Sequence, residues 1–346
     1  MFKKLKNTLE IELVKFISYI NIRYALTDTS AFLFNNMKHF ILRRGKRVRP
    51  ILFVIGYKGF SAKNPKNLYR SALAIELLHA FLLVHDDIVD NSDMRRGQAS
   101  MHKLLGKKIN RPKKTGFSGK DLAMITGDIM YAIAIEAFLS ISEDPRRKEA
   151  ALKKFIETAC YTGCGEFIEL ISSIEDIKKI KKDQIYKIYD YKTAYYTFIA
   201  PLITGAILGG ASKKETRLLF QFGTSLGRAF QIKDDILGIF GEKKKTGKSN
   251  LSDLQEGKKT LLIWHAYNHG DKQQKAILRK ILKKGKITIK DLNITRGIMT
   301  QTRSLEYAKE QIKALAEDSG EVLKNSKMRP KYKKALFDYA LRILNV

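Results

Sequence analysis

The sequence predicts an all-α fold, and three observations lead to that prediction. Only 6 of the 346 residues are prolines, so few positions interrupt a helix. Apolar residues recur at the 3.6-residue spacing of amphipathic helices in long segments rich in Ile, Leu, Lys and Glu. No segment shows the apolar–polar alternation of successive β-strands. We therefore expect one domain, residues 1–346, built as a bundle of many helices.

Helix boundaries are expected where Gly, Pro, Ser and charged residues cluster. These breaks are residues 62–67, 106–120, 142–147, 209–214, 241–257 and 283–288. None of them is long enough to be an obvious linker between domains, and the sequence has no short-period repeat. The single-domain prediction rests on these two absences.

The net charge predicts an anionic partner. Sixty-five Lys and Arg against 35 Asp and Glu give +30, which suits a polyphosphate, a nucleic acid or an acidic membrane surface. The lysines are spread over the whole length, so we interpret most of them as solvated helix faces. A basic RNA-binding protein is the alternative from a different class, but the sequence lacks aromatic-basic RNA motifs, and nucleic acid is not the expected partner.

The cysteines and the opening residues predict a cytoplasmic protein. Cys160 and Cys164 cannot form a Cys-based zinc site alone, and we expect both to be small buried residues in a reducing compartment. Residues 1–16 are basic and amphipathic and lack the apolar centre of a signal peptide. The 19 uncharged residues 194–212 are long enough to span a bilayer but contain Pro201 and three glycines. We prefer a helix buried on all sides to a membrane span.

Three carboxylates follow an apolar run in the stretch Phe81–Arg96, FLLVHDDIVDNSDMRR. Asp86, Asp87 and Asp90 project from one face of a helix. At roughly 6 Å and an effective dielectric near 20, each pair would repel by about 3 kcal/mol. Mg²⁺ is the usual partner of a few carboxylates and a phosphate-bearing substrate. A solvated acidic helix end is the alternative, and the apolar run before the aspartates and the two arginines after them favour the metal site.

Two further features have more than one interpretation when taken alone. The run Ile41–Pro50, ILRRGKRVRP, provides Lys46, Arg47 and Arg49 for a phosphate cradle, but it is equally typical of a nuclear-import or nucleic-acid patch. His79 lies on the same helical stripe as Asp86, where it is either a hydrogen-bonded core residue or part of the site.

A second acidic pair, Asp234 and Asp235, occurs in Phe230–Gly238, FQIKDDILG, and alone it is typical of a helix surface or cap. The following GEKKKTGK, residues 241–248, is not a Walker loop, because five residues rather than four separate its glycines and no strand precedes it. A lysine-rich loop beside an acidic helix end still suits a site for metal and polyphosphate.

Read together, eight motifs resemble those of the trans-isoprenyl diphosphate synthases, in the same order. They are GKRVRP at 45–50, E-x-x-H at 76–79, DDIVDNSDMRRG at 86–97, GD at 127–128, KT at 192–193, FQIKDD at 230–235, GK at 247–248 and EGKKT at 256–260. The resemblance covers about residues 40–262. It implies a helical fold around a deep apolar cavity, normally in a homodimer, with two aspartate-rich helix ends facing each other across the mouth of the cavity.

The resemblance also implies a role for each matching residue. Metal ligands for Mg²⁺, three ions with substrate bound, would be Asp86, Asp87, Asp90 and Asp234. Ligands of the allylic diphosphate would be Arg95, Lys192, Lys248 and Lys258. Ligands of isopentenyl diphosphate would be Lys46, Arg49, His79 and Arg96. Lys192, Thr193 and Gln231 would be the catalytic residues, with Thr193 and Gln231 beside the developing allylic cation, and Phe81 and Leu82 would set chain length.

The predicted activity is therefore a Mg²⁺-dependent prenyl transfer from an allylic diphosphate to isopentenyl diphosphate. Release of diphosphate needs neutralising charge, and the allylic cation needs a dry apolar wall. The sequence offers no Ser-His-Asp or Cys-His constellation. A terpene cyclase also uses such aspartates, but it has no use for a second diphosphate site at Lys46, Arg49 and Arg96.

The expected product is geranylgeranyl diphosphate. Phe81 lies about 7.5 Å along the helix from Asp86, and an aromatic residue there resembles archaeal geranylgeranyl diphosphate synthases. A farnesyl or longer-chain synthase and a weakly active subunit of a heteromeric synthase are alternatives. The last arises because Gly238 stands where many members have a third Asp. Glu166 and Glu169 also depart from the common Gln and Asp, and Arg44 replaces a glycine. We expect peripheral contact with anionic membrane through the surplus positive charge.

Overall fold

The all-α prediction is confirmed by the computed structural model, which describes residues 1–109, 116–241 and 250–344. Contacts divide the chain into two compact units. Unit 1 is Met1–Phe155 with Pro201–Ser212, and unit 2 is Ile156–Ala200 with Lys213–Val346. Neither unit is continuous in sequence, and the assignment of residues 1–346 to a single domain stays a prediction.

Unit 1 contains the first helices and a short hairpin. Its helices are α1 (Phe2–Tyr24), α2 (Leu26–Ile41), α3 (Val48–Phe60), α4 (Leu68–Val89), α5 (Met101–Gly106), α6 (Gly119–Leu139), the start of α7 (Pro145–Ile174) and, from Pro201 onward, α9 (Ala200–Leu208). Strands β1 (Met94–Arg95) and β2 (Gln98–Ala99) pair antiparallel, with Met94 opposite Ala99 and Arg95 opposite Gln98.

Helix α4 is the central element of unit 1, and it packs against α1, α3 and α6. Residues 71–80, SALAIELLHA, are all buried and are mostly strong helix formers. Each large side chain buried here, such as Leu73 or Leu77, stabilises the fold by about 1.5–3 kcal/mol. This packing fixes the position of the polar end of α4, where Asp86, Asp87 and Asp90 lie.

Unit 2 contains the rest of α7 and the later helices. These are a 3₁₀-helix (Ile177–Lys179), α8 (Lys182–Ile188), a π-helix (Tyr189–Ile199), α10 (Lys213–Phe240), α11 (Ser252–Gln255), α12 (Leu261–His269), α13 (Lys272–Leu282), α14 (Ile289–Gln301), α15 (Ser304–Lys324) and α16 (Pro330–Leu344).

Helix α10 is the central element of unit 2 and packs against α15 and the π-helix. Its buried residues, including Leu219, Phe222, Leu226 and Ile239, recur at three- and four-residue spacing, so one stripe faces the core. Capping boxes begin α13 at Asp271 and α14 at Thr288, each satisfying otherwise unpaired backbone groups.

Most predicted breaks coincide with observed helix ends. Residues 62–67 separate α3 from α4, and residues 283–288 separate α13 from α14. The uncharged stretch 194–212 is buried along most of its length, as expected. By length and composition alone, one helix in the described part of the chain, α6, is apolar enough to cross a membrane, and 44% of the tested segment is buried. Core helices of soluble proteins pass the same test.

The prediction of buried cysteines was wrong. Both Cys160 and Cys164 are exposed on α7. Their four-residue spacing correctly predicted that they share a face of a helix, but that face points outward. Spacing alone does not tell which face of a helix packs against the core.

Candidate active site

The aspartates at the end of α4 are neutralised by an arginine from the hairpin. Arg95 Nη2 lies 2.5 Å from Asp86 Oδ2, and Arg95 Nε donates to Asp87 Oδ1 at 2.7 Å. Burial opposes the charge on Arg95, but Asp86 and Asp87 hold its pKa above the ordinary value. The repulsion predicted from sequence is therefore offset within unit 1.

The three aspartates differ in exposure. The side chain of Asp87 is fully buried, that of Asp86 is 21% exposed, and Asp90, which caps the helix, is half-buried. A hydrated divalent cation needs ligand oxygens that solvent can reach. The donor set of Asp86 and Asp90 fits such an ion, whereas Asp87 is placed as the partner of Arg95, and its predicted role as a ligand stays a prediction.

The hairpin that carries Arg95 and Arg96 was not expected from the sequence. Arg96 (φ 55°) and Gly97 (φ 75°) both adopt the left-handed conformation, as the two central residues of a type I′ turn do. Arg43 holds the hairpin in place, donating to Ala99 O at 2.7 Å and to Arg95 O at 3.4 Å. Strands of two residues are too short to leave an alternating pattern, and the Arg-Gly pair was the only local signal.

The residues predicted to bind isopentenyl diphosphate also lie in unit 1. Arg96 Nη2 is 3.3 Å from His79 Nε2. Burial, followed by the charges of Arg49 and Arg96, lowers the pKa of His79 well below its ordinary value. The neutral ring can accept a hydrogen bond from Arg96 and orient that guanidinium. Lys46 is exposed and Arg49 is half-buried.

Arg47 does not belong to a phosphate cradle, contrary to the interpretation of the basic run. It is 3% exposed and lies 2.6 Å from Glu76 Oε1 and 3.0 Å from Glu10 Oε1. It precedes α3 with a positive φ of 51°. The basic run thus divides into one buried structural arginine and two remaining phosphate candidates, the exposed Lys46 and the half-buried Arg49. Sequence reasoning missed Glu10, because no local pattern joins it to Arg47.

An aromatic cluster lies on the α4 turns that precede the aspartates. The ring of Phe81, which is half-buried, is 5.1 Å from that of Tyr131 and 4.5 Å from that of His85. Tyr131 in turn stacks on Phe155 at 6.4 Å. Leu82 is half-buried. The sequence analysis singled out Phe81 and Leu82 but not Tyr131, which comes from α6.

In unit 2, the π-helix presents Lys192 and Thr193. Short π-helical segments widen a helix and often occur at functional sites. Lys192 Nζ contacts Glu169 and lies 2.7 Å from Glu166 Oε2. A Cβ atom at Gly165 would lie 2.5 Å from the backbone nitrogen of Lys192, so glycine is what lets α7 approach the π-helix here. Glu166 and Glu169, noted in the sequence only as departures, are the partners of Lys192.

A chain of hydrogen bonds connects Thr193 to α12. Thr193 Oγ1 donates to Gln231 Oε1 at 2.6 Å, and Gln231 Nε2 donates to Asp235 Oδ1 at 2.9 Å. The Tyr189 hydroxyl donates to Asp235 and accepts from Leu261 N at 2.9 Å. Burial and the nearby Asp253 raise the pKa of Asp235 well above its usual range. Sequence reasoning found Thr193 and Gln231 but missed Tyr189.

The second acidic pair divides into an exposed and a buried residue. Asp234, the predicted metal ligand, is exposed, whereas Asp235 is buried. A Cβ atom at Gly238 would lie only 2.2 Å from Asp253 Oδ2. Lys258 Nζ lies 2.6 Å from Glu256 Oε2 and 3.7 Å from Asp253 Oδ1. The predicted diphosphate ligand Lys248 lies outside the described residues.

Each unit therefore gathers its own share of the predicted residues. Unit 1 holds the aspartates of α4, the basic cluster and the aromatic cluster, and unit 2 holds Lys192, Thr193, Gln231, Asp234 and Lys258. The expectation that the two acidic helix ends face each other stays a prediction.

Comparison with known proteins identifies the family. The family model described as "Polyprenyl synthetase" matches residues 30–297. The chain belongs to the polyprenyl synthetase family. It is accordingly a trans-prenyltransferase, as the sequence motifs predicted.

Individual members of the polyprenyl synthetase family are similar along most of the chain. A short chain isoprenyl diphosphate synthase of Methanocaldococcus jannaschii is 32% identical over 283 residues, 82% of this chain and 80% of that protein. A geranylgeranyl diphosphate synthase of Sulfolobus acidocaldarius is 33% identical over 279 residues, 80% of this chain and 79% of the relative.

A solved structure of the same family agrees in fold. Geranylgeranyl pyrophosphate synthase from Corynebacterium glutamicum, complexed with isoprenyl diphosphate and magnesium, has a TM-score of 0.88 and 25% identity to this chain. The likeness covers 100% of this chain and 99% of that one.

Proposed function

We propose that this polyprenyl synthetase condenses isopentenyl diphosphate with an allylic diphosphate and releases geranylgeranyl diphosphate and inorganic diphosphate. The observation that carries the proposal is the presence in unit 1 of two differently charged groups. An acidic helix end at Asp86 and Asp90 suits a metal-bound diphosphate, and the cluster of Lys46, Arg49 and Arg96 suits a second diphosphate without metal. A reaction with two diphosphate substrates needs both.

The residues of unit 2 are suited to stabilise the negative charge on the leaving diphosphate and the positive charge on the allylic carbon. When the allylic carbon–oxygen bond breaks, negative charge grows on the diphosphate, and Lys192 and Lys258 would stabilise it electrostatically. The carbon–carbon bond then forms from the double bond of isopentenyl diphosphate, and a proton is lost, in our proposal to the departing diphosphate. The oxygens of Thr193 and Gln231 would lie beside the cation.

Magnesium is the proposed cofactor, with three ions bound when substrate is present. Carboxylate oxygens on Asp86, Asp90 and Asp234 are the hard ligands that this ion prefers. Bound Mg²⁺ would neutralise the leaving diphosphate. We expect chelation to abolish turnover and added Mg²⁺ to restore it.

The decisive experiment is a product assay. The protein is incubated with labelled isopentenyl diphosphate and a five-, ten- or fifteen-carbon allylic diphosphate, with and without Mg²⁺, and the extracted alcohols are sized. Asp86→Asn combined with Asp90→Asn should lower turnover at least 100-fold. Asp93→Asn is the matched control, because Asp93 is 69% exposed and pairs only with the exposed Lys103 among the described residues. Absence of any prenyl product from all three starters would overturn the proposal.

The proposed twenty-carbon product rests on the aromatic cluster. Phe81 lies about 7.5 Å along α4 from Asp86, and its contact with Tyr131 supports a rigid floor for the growing chain. Phe81→Ala should lengthen the product, because it removes most of that floor. Phe60→Ala, which also truncates a half-buried phenylalanine of unit 1, should not change product length. An unchanged product spectrum for Phe81→Ala would exclude Phe81 as the floor.

We also propose that the enzyme is a cytoplasmic homodimer. Helix α6 exposes Met124, Ile125 and Leu139, and α7 exposes Phe167 and Ile174, the latter by 82%. Exposed apolar surface of this kind is typical of subunit interfaces. Sedimentation velocity should give the mass of two chains, and Ile125→Lys with Phe167→Lys should give that of one. A monomeric wild type would exclude the dimer.

A further inference from the structure

A basic cleft in unit 1 lies outside the set of predicted site residues. It has a volume of about 650 Å³ and is lined by residues from the end of α2, the loop that follows it, and the hairpin. Five of the lining side chains are Lys38, His39, Arg43, Arg44 and Arg96, and no acidic residue lines the cleft within the part of the chain that the structure describes. With His39 neutral, these side chains give a local charge of +4. Such a cleft attracts a compact, multiply charged anion.

Three of these side chains make few interactions with other described residues. Lys38, His39 and Arg44 are exposed. Among the described residues, neither His39 nor Arg44 forms a side-chain hydrogen bond or ion pair, and Lys38 only approaches the Phe34 ring, at 6.0 Å. This contrasts with Arg95, Lys192 and Lys258, which are held by carboxylates. An anion could therefore bind in the cleft without first breaking an ion pair of these three side chains.

The back of the cleft is rigid. Arg43 is only 5% exposed, stacks on Phe40 at 4.6 Å and donates to the carbonyl oxygens of Arg95 and Ala99. Its Nε atom has no hydrogen-bond partner among the described residues. The guanidinium is thus fixed before any ligand arrives, which lowers the entropic cost of binding.

The cleft is distinct from the cluster predicted to bind isopentenyl diphosphate, but it is adjacent to that cluster. Lys46, Arg49 and His79 do not line it. Arg96 belongs to both, because it lines the cleft while its Nη2 atom reaches His79. A ligand in the cleft would therefore share one guanidinium with the predicted substrate site.

We propose that the cleft formed by Lys38, His39, Arg43, Arg44 and Arg96 is a second, metal-free binding site for a diphosphate group. Because no carboxylate lines the cleft among the described residues, the protein would hold the anion through guanidinium and ammonium groups rather than through a metal ion bound to its own side chains. The diphosphate group has two sources, incoming isopentenyl diphosphate and released inorganic diphosphate. The choice between them rests on the proposed function, whereas the site itself does not.

The test is calorimetric titration of the full chain with inorganic diphosphate in the presence of a chelator. The variant Lys38→Ala with Arg44→Ala should weaken the binding at the cleft at least tenfold and reduce the stoichiometry from two sites per chain to one. The matched control is Lys66→Ala with Arg146→Ala, which also removes one exposed lysine and one exposed arginine from unit 1. Lys66 precedes α4, about 30 Å from its aspartate end. The control should change affinity by less than twofold.

Steady-state kinetics of the same variants then identify the source of the diphosphate. If the cleft receives substrate, the Lys38→Ala, Arg44→Ala variant raises KM for isopentenyl diphosphate at least fivefold and leaves kcat and the allylic KM unchanged. If it retains product, the inhibition constant of inorganic diphosphate rises instead. Unchanged titration together with unchanged kinetics would overturn the site while leaving the proposed function intact. If the variant loses metal-free binding of diphosphate but the wild type yields no prenyl product, the proposed function is overturned and the proposed site stands.

Discussion

Gly238 and Asp253 show how one residue's identity depends on another that is distant in sequence. The sequence analysis treated Gly238 as the loss of a carboxylate. In the structure, the Asp253 carboxylate lies where a side chain at position 238 would begin, 2.2 Å from an ideal Cβ atom. A side chain at 238 and the present position of the Asp253 carboxylate therefore exclude each other.

This exclusion predicts a steric coupling between the two positions. Displacing the end of the Asp253 side chain opposes the gain in helix propensity, so Gly238→Ala should change the free energy of unfolding by less than about 1 kcal/mol. In an Asp253→Ala background the clash is absent, and the same change should stabilise the protein by about 0.5–1 kcal/mol. Denaturant unfolding measures both. Leu237→Ala, at an exposed neighbour, should stay within about 0.5 kcal/mol of wild type. Equal effects of Gly238→Ala in the two backgrounds would contradict the coupling.

Tyr189 is a positioning residue for the predicted catalytic pair. Tyr189→Phe removes the hydroxyl that bonds both Asp235 and Leu261 N, and it should cost about 1–3 kcal/mol of stability. Because Asp235 orients Gln231, we expect kcat to fall about tenfold while both KM values stay within twofold. Tyr186→Phe, which loses a bond to Gln311 and an interaction with Lys182, should leave kcat unchanged. A wild-type kcat for Tyr189→Phe would remove it from the site.

At the scale of elements, helix boundaries could be predicted from the sequence better than the type of helix or the direction in which its side chains face. The apolar spacing of residues 68–89 and the breaks around them are local properties, so α4 and its aspartates could be predicted. The π-helix could not, because such segments are rare and eleven residues contain only two to three turns, too few to define a period from the sequence. The burial of Arg47 and the exposure of the two cysteines depend on which helices pack against those positions. Those contacts are not local in sequence.

The contact between α12 and α15 predicts acid sensitivity. His265 Nδ1 is 3.0 Å from Ser304 Oγ, and the ring stacks on Tyr307. Burial, with His269 and Lys182, lowers the pKa of His265 to about 4. Between the unfolded pKa near 6.5 and this value, the unfolded chain binds more protons, so stability should be lost as pH falls through that window.

The measurement is the free energy of unfolding at pH 7.5 and pH 5. His265 should contribute about 1–2 kcal/mol of the loss at pH 5. His265→Gln should therefore lose less stability than wild type over this range, although it is less stable at pH 7.5. His39→Gln, at an exposed histidine, should follow wild type. If His265→Gln and wild type lose the same amount, His265 does not cause the acid sensitivity.

At the scale of the whole molecule, the net charge of +30 is the property that the active site does not explain. A lipid-forming enzyme with this charge should bind anionic membrane electrostatically. The protein should sediment with vesicles of anionic lipid at 20 mM salt and should be released at 500 mM, where screening is strong. Vesicles of neutral lipid are the control. Failure to sediment with anionic vesicles at low salt would exclude membrane docking.

The cations predicted to hold the allylic diphosphate share one feature where the structure describes them, which excludes Lys248. Arg95, Lys192 and Lys258 are each already bound to carboxylates, namely Asp86 with Asp87, Glu166 with Glu169, and Glu256. A bare diphosphate would have to displace those carboxylates, and a bare divalent cation at Asp86 would have to displace Arg95. When metal and diphosphate bind together, the metal frees the cation that binds the diphosphate, and the diphosphate frees the carboxylates that bind the metal. The ligand-free protein thus behaves as a set of exchangeable ion pairs, so the affinities for metal and allylic substrate should rise together, each by the same factor.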